Sequence, residues 1–139
     1  MYKHVLVPVA PHHGEVGARI IAVAKLLAGS DGRITLLTVL EPLPGYIVTE
    51  IPAELLTNSG AAASDQLLEL ARSSGVDTSQ LVTTSGPAAA TILSEAERLG
   101  VDAIVLGSHR PNFGDYLLGS TAARVVRHAQ CTVVVERSG

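Results

Sequence analysis

Between Asp102 and Glu136 the chain reads DAIVLGSHRPNFGDYLLGSTAARVVRHAQCTVVVE, and no other stretch limits the fold as much. An apolar run, Ala103 to Leu106, ends at Gly107. A polar loop follows, then Gly119-Ser120-Thr121, then apolar residues at helical spacing, then a second apolar run from Cys131 to Val135. A short run that is apolar at every position suits a strand buried on both faces. The order is therefore strand, glycine-bearing loop, helix, strand. Gly107 has access to backbone angles that other residues avoid, and its missing side chain lets a ligand come close. Ser120 suits the helix N-cap, where its hydroxyl would accept an orphan backbone N–H. The free amides at that helix start, with the positive end of the dipole, suit a phosphate. Ala122, Val125, Val126 and Ala129, at i, i+3, i+4 and i+7, predict the buried face of the helix. An ordinary strand-end turn and helix cap would use the same residues, so the pattern alone leaves both readings open.

The rest of the chain repeats this alternation. Val5 to Val9 is an apolar run containing Pro8, which places the proline at the carboxyl end of a first, central strand. Ala10 to Gly14 turns out of the sheet. Gly17, Ile20, Ile21, Ala24, Leu27 and Ala28 predict a helix over Gly14 to Ala28, stopped by Gly29-Ser30-Asp31-Gly32. Ile34 to Leu40 is a second strand. Glu41 to Pro52 carries three prolines and a glycine and reads as a loop. A second helix spans Ala53 to Ser74, although Thr57-Asn58-Ser59-Gly60 is poor helix sequence. Leu81 to Thr84 is a third strand, and Ser85-Gly86-Pro87 a turn with proline placed for a helix start. Ala89, Ile92, Leu93, Ala96 and Leu99 give a third helix, ended by Gly100.

Strands alternating with helices predict an α/β domain over residues 1–139: an open five-stranded parallel sheet, Rossmann-like, with helices on both faces. Right-handed crossovers restrict the winding. With strand order 3-2-1-4-5, the reversal lies between strands one and four, and ligands bind outside the carboxyl ends at such a point. Pro8, Val9 and Ala10 would then face Gly107.

Composition excludes several classes. A net charge of −3 gives no basic footprint for nucleic acid, and 3% aromatic residues give no stacking platform. No apolar run approaches the length of a transmembrane helix. The N-terminal apolar run is too short for a signal peptide and lacks a cleavage site. One cysteine cannot form an internal disulfide, which predicts a reducing, cytosolic setting. His12-His13 are adjacent and lack partners at ligand spacing, so they read as solvated turn residues and no metal site is expected. His128 suits the negative end of its helix. Cys131 reads as a small apolar filler at the start of a strand. Glu95, Glu97 and Arg98 form a solvated helix face, and no carboxylate pair suggests acid–base catalysis. There is no P-loop lysine motif.

HVLVPVA near the start, SGPAAATILSEAERLGVDAIVLGSHR in the middle and LLGSTAARVVRHAQCTVVV at the end resemble the universal stress proteins. Ser108-His109-Arg110-Pro111 and Leu117-Leu118-Gly119-Ser120 are closest to the bacterial F/G-type subgroup. The resemblance implies a cytosolic, ATP-binding regulatory or stress-survival module, with or without Mg2+. Nucleotide-binding members carry Gly-x2-Gly-x9-Gly followed by Ser or Thr. Here Gly107 and Gly119-Ser120 match the outer glycines, Arg110 replaces the inner one, and the spacer before Gly119 is one residue short. The acidic residue usual after the first strand is Ala10. Carried over by position, Pro8, Val9 and Ala10 would line the adenosine end, with Val39 beside the base. Gly107, His109 and Arg110 would border the phosphates. Gly119, Ser120 and Thr121 would hold phosphate oxygens, and Val133 would flank the pocket. Arg110 is either a surface arginine or a paired donor to phosphate in place of the glycine.

The bare edge of a Val133-Val134-Val135 strand is an aggregation hazard unless covered. The family's antiparallel dimer through Thr132–Glu136 would cover it; a tetramer and a membrane-protein partner stay open. Two other functions fit the same residues. One is slow ATP hydrolysis or self-phosphorylation at Ser108, Ser120 or Thr121, with His109 as the only base in sight. The other is a nucleotide-free interaction protein with a degenerate site.

Overall fold

The computed structural model of the protein describes residues 1–10, 14–41, 53–108 and 119–137. In chain order the elements are β1 (His4–Pro8), α1 (Gly14–Ala28), β2 (Arg33–Leu40), α2 (Ala53–Ser74), β3 (Leu81–Ser85), α3 (Ala88–Leu99), β4 (Ala103–Gly107), α4 (Ser120–His128) and β5 (Thr132–Glu136). The strands form one sheet in the order β3-β2-β1-β4-β5, and every pairing is parallel. This is the doubly wound arrangement expected from the alternation, with the reversal between β1 and β4.

The continuous apolar runs follow from burial on two faces. Along β1, Val5, Val7 and Val9 point into one core cluster with Ile20, Ile21 and Ala24 of α1 and Leu67 and Ala71 of α2. Leu6 points the other way, into a second cluster with Ala89 and Ile92 of α3 and Ala122 and Val125 of α4. The two faces of β4 divide likewise, Ala103 and Val105 against Ile104 and Leu106. The central strands are buried except at their carboxyl ends, whereas the edge strands β3 and β5 are only partly covered.

Several local expectations are corrected. Gly119, not Ser120, is the N-cap of α4; it is extended (φ −61°, ψ 155°), and Ser120 is the first helical residue. Val126 stands 45% exposed while Ala122 and Val125 are buried. The nine-residue helix touches the core along a stripe too narrow to take the i+4 valine. Gly107 is absent from the glycines with positive φ, which are Gly29, Gly75, Gly86 and Gly100 among the described residues. As the last residue of β4, paired with Glu136, Gly107 keeps strand geometry. Its value is space: a Cβ there would lie 3.2 Å from Val16 Cγ1 of α1. The weak helix stretch Thr57 to Gly60 is helical all the same, because α2 as a whole packs on the sheet through Leu67 and Ala71.

Candidate functional site

The carboxyl ends of the central strands do not finish level. Pro8 is the last β1 residue paired to β2, opposite Leu37, and β2 runs on to Leu40. The Val9 N–H still reaches the Leu37 carbonyl at 2.7 Å, and the Thr38 hydroxyl donates to the Val9 carbonyl at 3.2 Å. These two bonds hold the β1 tip against β2. Beyond them the chain leaves the sheet, and a cavity of about 510 Å³ opens above β1 and β4. That volume lies in the range of small-molecule and cofactor sites, roughly 300–1,000 Å³.

Six groups of residues wall the cavity. The β1 tip supplies Pro8, Val9 and Ala10; α1 supplies Val16, Gly17 and Ile20; the end of β2 supplies Leu37, Val39 and Glu41. Leu106 and Gly107 of β4, Gly119 to Ala122 at the start of α4, and Ala88 and Ile92 of α3 complete it. Gly17 matters here for closeness: a Cβ would lie 2.8 Å from Leu70 Cδ2 and 3.1 Å from Val9 Cγ1, so a side chain there would force those two side chains to shift.

The lining is mostly apolar, with polar groups gathered at two places. At α4, Gly119 has no side chain to cap with, so the first-turn amides keep their donors for other partners. The Ser120 and Thr121 residues that follow line the same wall, and the helix dipole adds partial positive charge there. At the opposite wall stands Glu41. Such a cavity can hold a flat apolar group in its middle and an anion at the α4 end.

Groups whose pKa departs from the ordinary value lie at the other edge of the sheet. The Asp102 carboxylate, before β4, is held below the usual range by the Lys3 and His4 N–H groups, at 2.9 and 3.0 Å. Asp77, before β3, is lowered by the Ser79 N–H and hydroxyl. Burial pushes the Cys131 thiol up, and its side chain packs against the second core cluster, so it is an apolar filler with little thiolate character. His4 is buried in β1, with Nε2 2.7 Å from the Thr35 hydroxyl. That hydroxyl also lies 3.4 Å from Gln80 Oε1, to which it can donate. Nδ1 has no partner. Burial lowers the His4 pKa first and the Arg33 charge adds to it, while the Leu99 carbonyl and Asp102 oppose.

The comparisons with known proteins agree with this geometry. The profile of the Universal stress protein family matches residues 1–137. The chain belongs to the universal stress protein family. It is 30% identical to universal stress protein G of Shigella flexneri over 142 aligned residues, covering 99% of this chain and all of that one. Among solved structures it is similar to universal stress protein UspA from Lactobacillus plantarum, with 25% identity, TM-score 0.77 and 98% of each chain covered. A universal stress protein in complex with cAMP shares the fold at 21% identity and TM-score 0.62, covering 99% of this chain and 98% of the other.

Of the residues that the family resemblance singles out, the structure brings Pro8, Val9, Ala10, Val39, Gly107, Gly119, Ser120 and Thr121 together around the one cavity. It places Val133 elsewhere. That valine is paired with Ile104, well below the strand tips, where Gly107 pairs with Glu136, and it packs against the second core cluster. His109 and Arg110 lie outside the described residues, as do His12 and His13. Sequence reasoning missed Val16, Gly17 and Ile20 on α1, Ala88 and Ile92 on α3, Leu37, Leu106, Ala122 and Glu41. The Leu37-x-Val39-x-Glu41 alternation was a usable signal for the last, because alternate strand residues share a face.

Proposed function

We propose that this universal stress protein is an adenine-nucleotide-binding module of the cytosol, with ATP as its ligand and a regulatory or stress-survival role. The observation that carries this reading is the cavity itself: apolar between the β1 and β2 tips, and edged at α4 by uncapped amides and two hydroxyls. The base would lie against Val9 and Val39. The phosphates would meet the amides of Ser120 and Thr121, where the dipole and free donors favour negative charge. Among the described residues no three His, Cys, Asp or Glu side chains gather to hold a metal, so Mg2+ would arrive on the phosphates. The neighbour in complex with cAMP supports the class of ligand. His109 and Arg110 are assigned to the phosphate border by resemblance alone.

The test is equilibrium binding of labelled ATP to the purified protein, with mass spectrometry of gently purified material for carried-over nucleotide. Saturable binding below millimolar concentration is expected; its absence, with no nucleotide carried over, overturns the reading.

We propose also that two copies pair through β5. Among the described residues β5 pairs as a strand with β4 alone, at the end of the sheet, and its Val133, Val134 and Val135 are half-buried. An open parallel-sheet edge with such residues invites a second strand. Sedimentation velocity should show a dimer, and a lysine at position 134 should dissociate it.

A further inference from the structure

We infer that Glu41 reads the nucleoside end of the ligand, its carboxylate accepting hydrogen bonds from O–H or N–H donors across the cavity from α4. The inference rests on the adenine-nucleotide reading above and adds a specificity-determining residue to it.

The position of Glu41 is fixed by the overhang of β2. Val39 pairs with Thr84 and Leu40 with Ser85 of β3, and the Gly86 N–H bonds to the Leu40 carbonyl at 3.0 Å. The wall is therefore anchored up to the residue before Glu41, although β1 has already ended beside it. Leu37, Val39 and Glu41 occupy alternate positions, so their side chains share one face, and all three line the cavity. Leu37 is fully buried, Val39 half-buried and Glu41 exposed, so this face rises from core to rim.

The chemistry is as specific as the position. Glu41 is the only charged side chain among the described residues that line the cavity. Among the described residues it makes no hydrogen bond or ion pair, which leaves both oxygens as acceptors towards the cavity. The β1 tip offers no competitor, because Ala10 has no polar side chain. Strand β1 lies between β2 and β4 in the sheet, which separates Glu41 from Ser120 and Thr121. The cavity thus has an acceptor at one end and donors at the other. A ligand that satisfies both carries an anionic group and, separated by an apolar body, hydroxyl or amino donors. A nucleoside phosphate does so through its ribose hydroxyls or through the amino group of the base.

Isothermal titration of wild type and Glu41→Ala with ATP, 2′,3′-dideoxy-ATP, ITP and inorganic tripolyphosphate tests this. Because a hydrogen bond to a charged group is involved, Glu41→Ala should weaken ATP by about tenfold or more and leave tripolyphosphate unchanged. The loss should vanish with dideoxy-ATP if the ribose is the donor, or with ITP if the amino group is. Unchanged ATP affinity overturns the inference, as does a loss undiminished in both analogues. So does tighter binding of ATP and tripolyphosphate alike, which would make Glu41 a mere anion repeller. If wild type binds no ATP, the nucleotide reading falls and takes this inference with it. If wild type binds and Glu41→Ala matches it, only this inference falls. Circular dichroism checks that the exposed substitution leaves the fold intact.

Discussion

At the amino ends of the strands the backbone is met at close range. Asp102 takes the Lys3 and His4 N–H groups, its own N–H goes to the His4 carbonyl at 3.0 Å, and the Arg33 N–H goes to the Lys3 carbonyl at 2.8 Å. Helix α3 closes just before, with Gly100 left-handed (φ 66°) and the Val101 N–H bonded to the Ala96 carbonyl, an arrangement common at helix C-termini. At the carboxyl ends the same strands stop at different heights, small residues stand where side chains could fill, and a 510 Å³ hollow results. One edge meets most of its backbone groups locally; the other, among the described residues, leaves donors and acceptors facing the cavity. The perturbed pKa values fall at the first edge, so among the described residues they mark structural bonding and do not point to the cavity.

This contrast can be broken by substitution at either edge. The largest effect is expected from Gly119→Trp. The Gly119 backbone is extended and accepts any L-residue, so the fold should survive while the indole fills the cavity. ATP binding should be abolished and the thermal midpoint barely moved; a large drop in midpoint would show that Gly119 serves folding instead. The mirror experiment is Asp102→Ala, which removes the acceptor of two backbone N–H groups. It should lower the denaturant midpoint and leave ATP affinity within twofold, and a change in affinity would show that the two edges are coupled.

A smaller effect is expected from pH. The folded pKa of His4 lies below its ordinary value of about 6.5. As pH falls below that value the unfolded chain takes up a proton that the folded chain refuses. Stability is therefore complete above the ordinary value and declines until the folded pKa is reached. Protonation would leave both ring nitrogens carrying a hydrogen in a buried setting. Arg33 and Asp102 are the charged groups nearby, and Asp102, held below the usual carboxylate range, keeps its charge throughout this interval. Urea midpoints between pH 7.5 and 5 should fall in wild type and flatten in His4→Gln, by no more than one proton's worth of pH dependence. Equal slopes in both would remove His4 as the cause.

The architecture was legible because the inner strands are largely apolar runs and each helix carries an apolar stripe, and the two periods do not overlap. Even the bounds of α2 and the carboxyl-end position of Pro8 could be read. The cavity was legible only in part. The topological reversal and the glycine-serine pair point to its place, but helical periodicity shows which side of α1 is buried without showing where that side runs past the end of the sheet. Val16 and Gly17 were lost for that reason. Ser120 was misassigned because Gly and Ser both serve as N-caps and adjoin here, so spacing could not choose. Glu41 was hidden because it is the first residue past β2, where the proline-rich loop hides that the strand's alternation runs on by one more position.

Val16 touches the place where a methyl group at residue 107 would be, and both residues border the hollow. The space between Val16 and the end of β4 is therefore short by about one carbon. Filling it with Gly107→Ala would act as a shim, displacing the Val16 side chain by a few tenths of an ångström and reshaping the hollow with every hydrogen-bonding group left in place. A chain of this design can retune the size of its guest without changing a single hydrogen-bonding group.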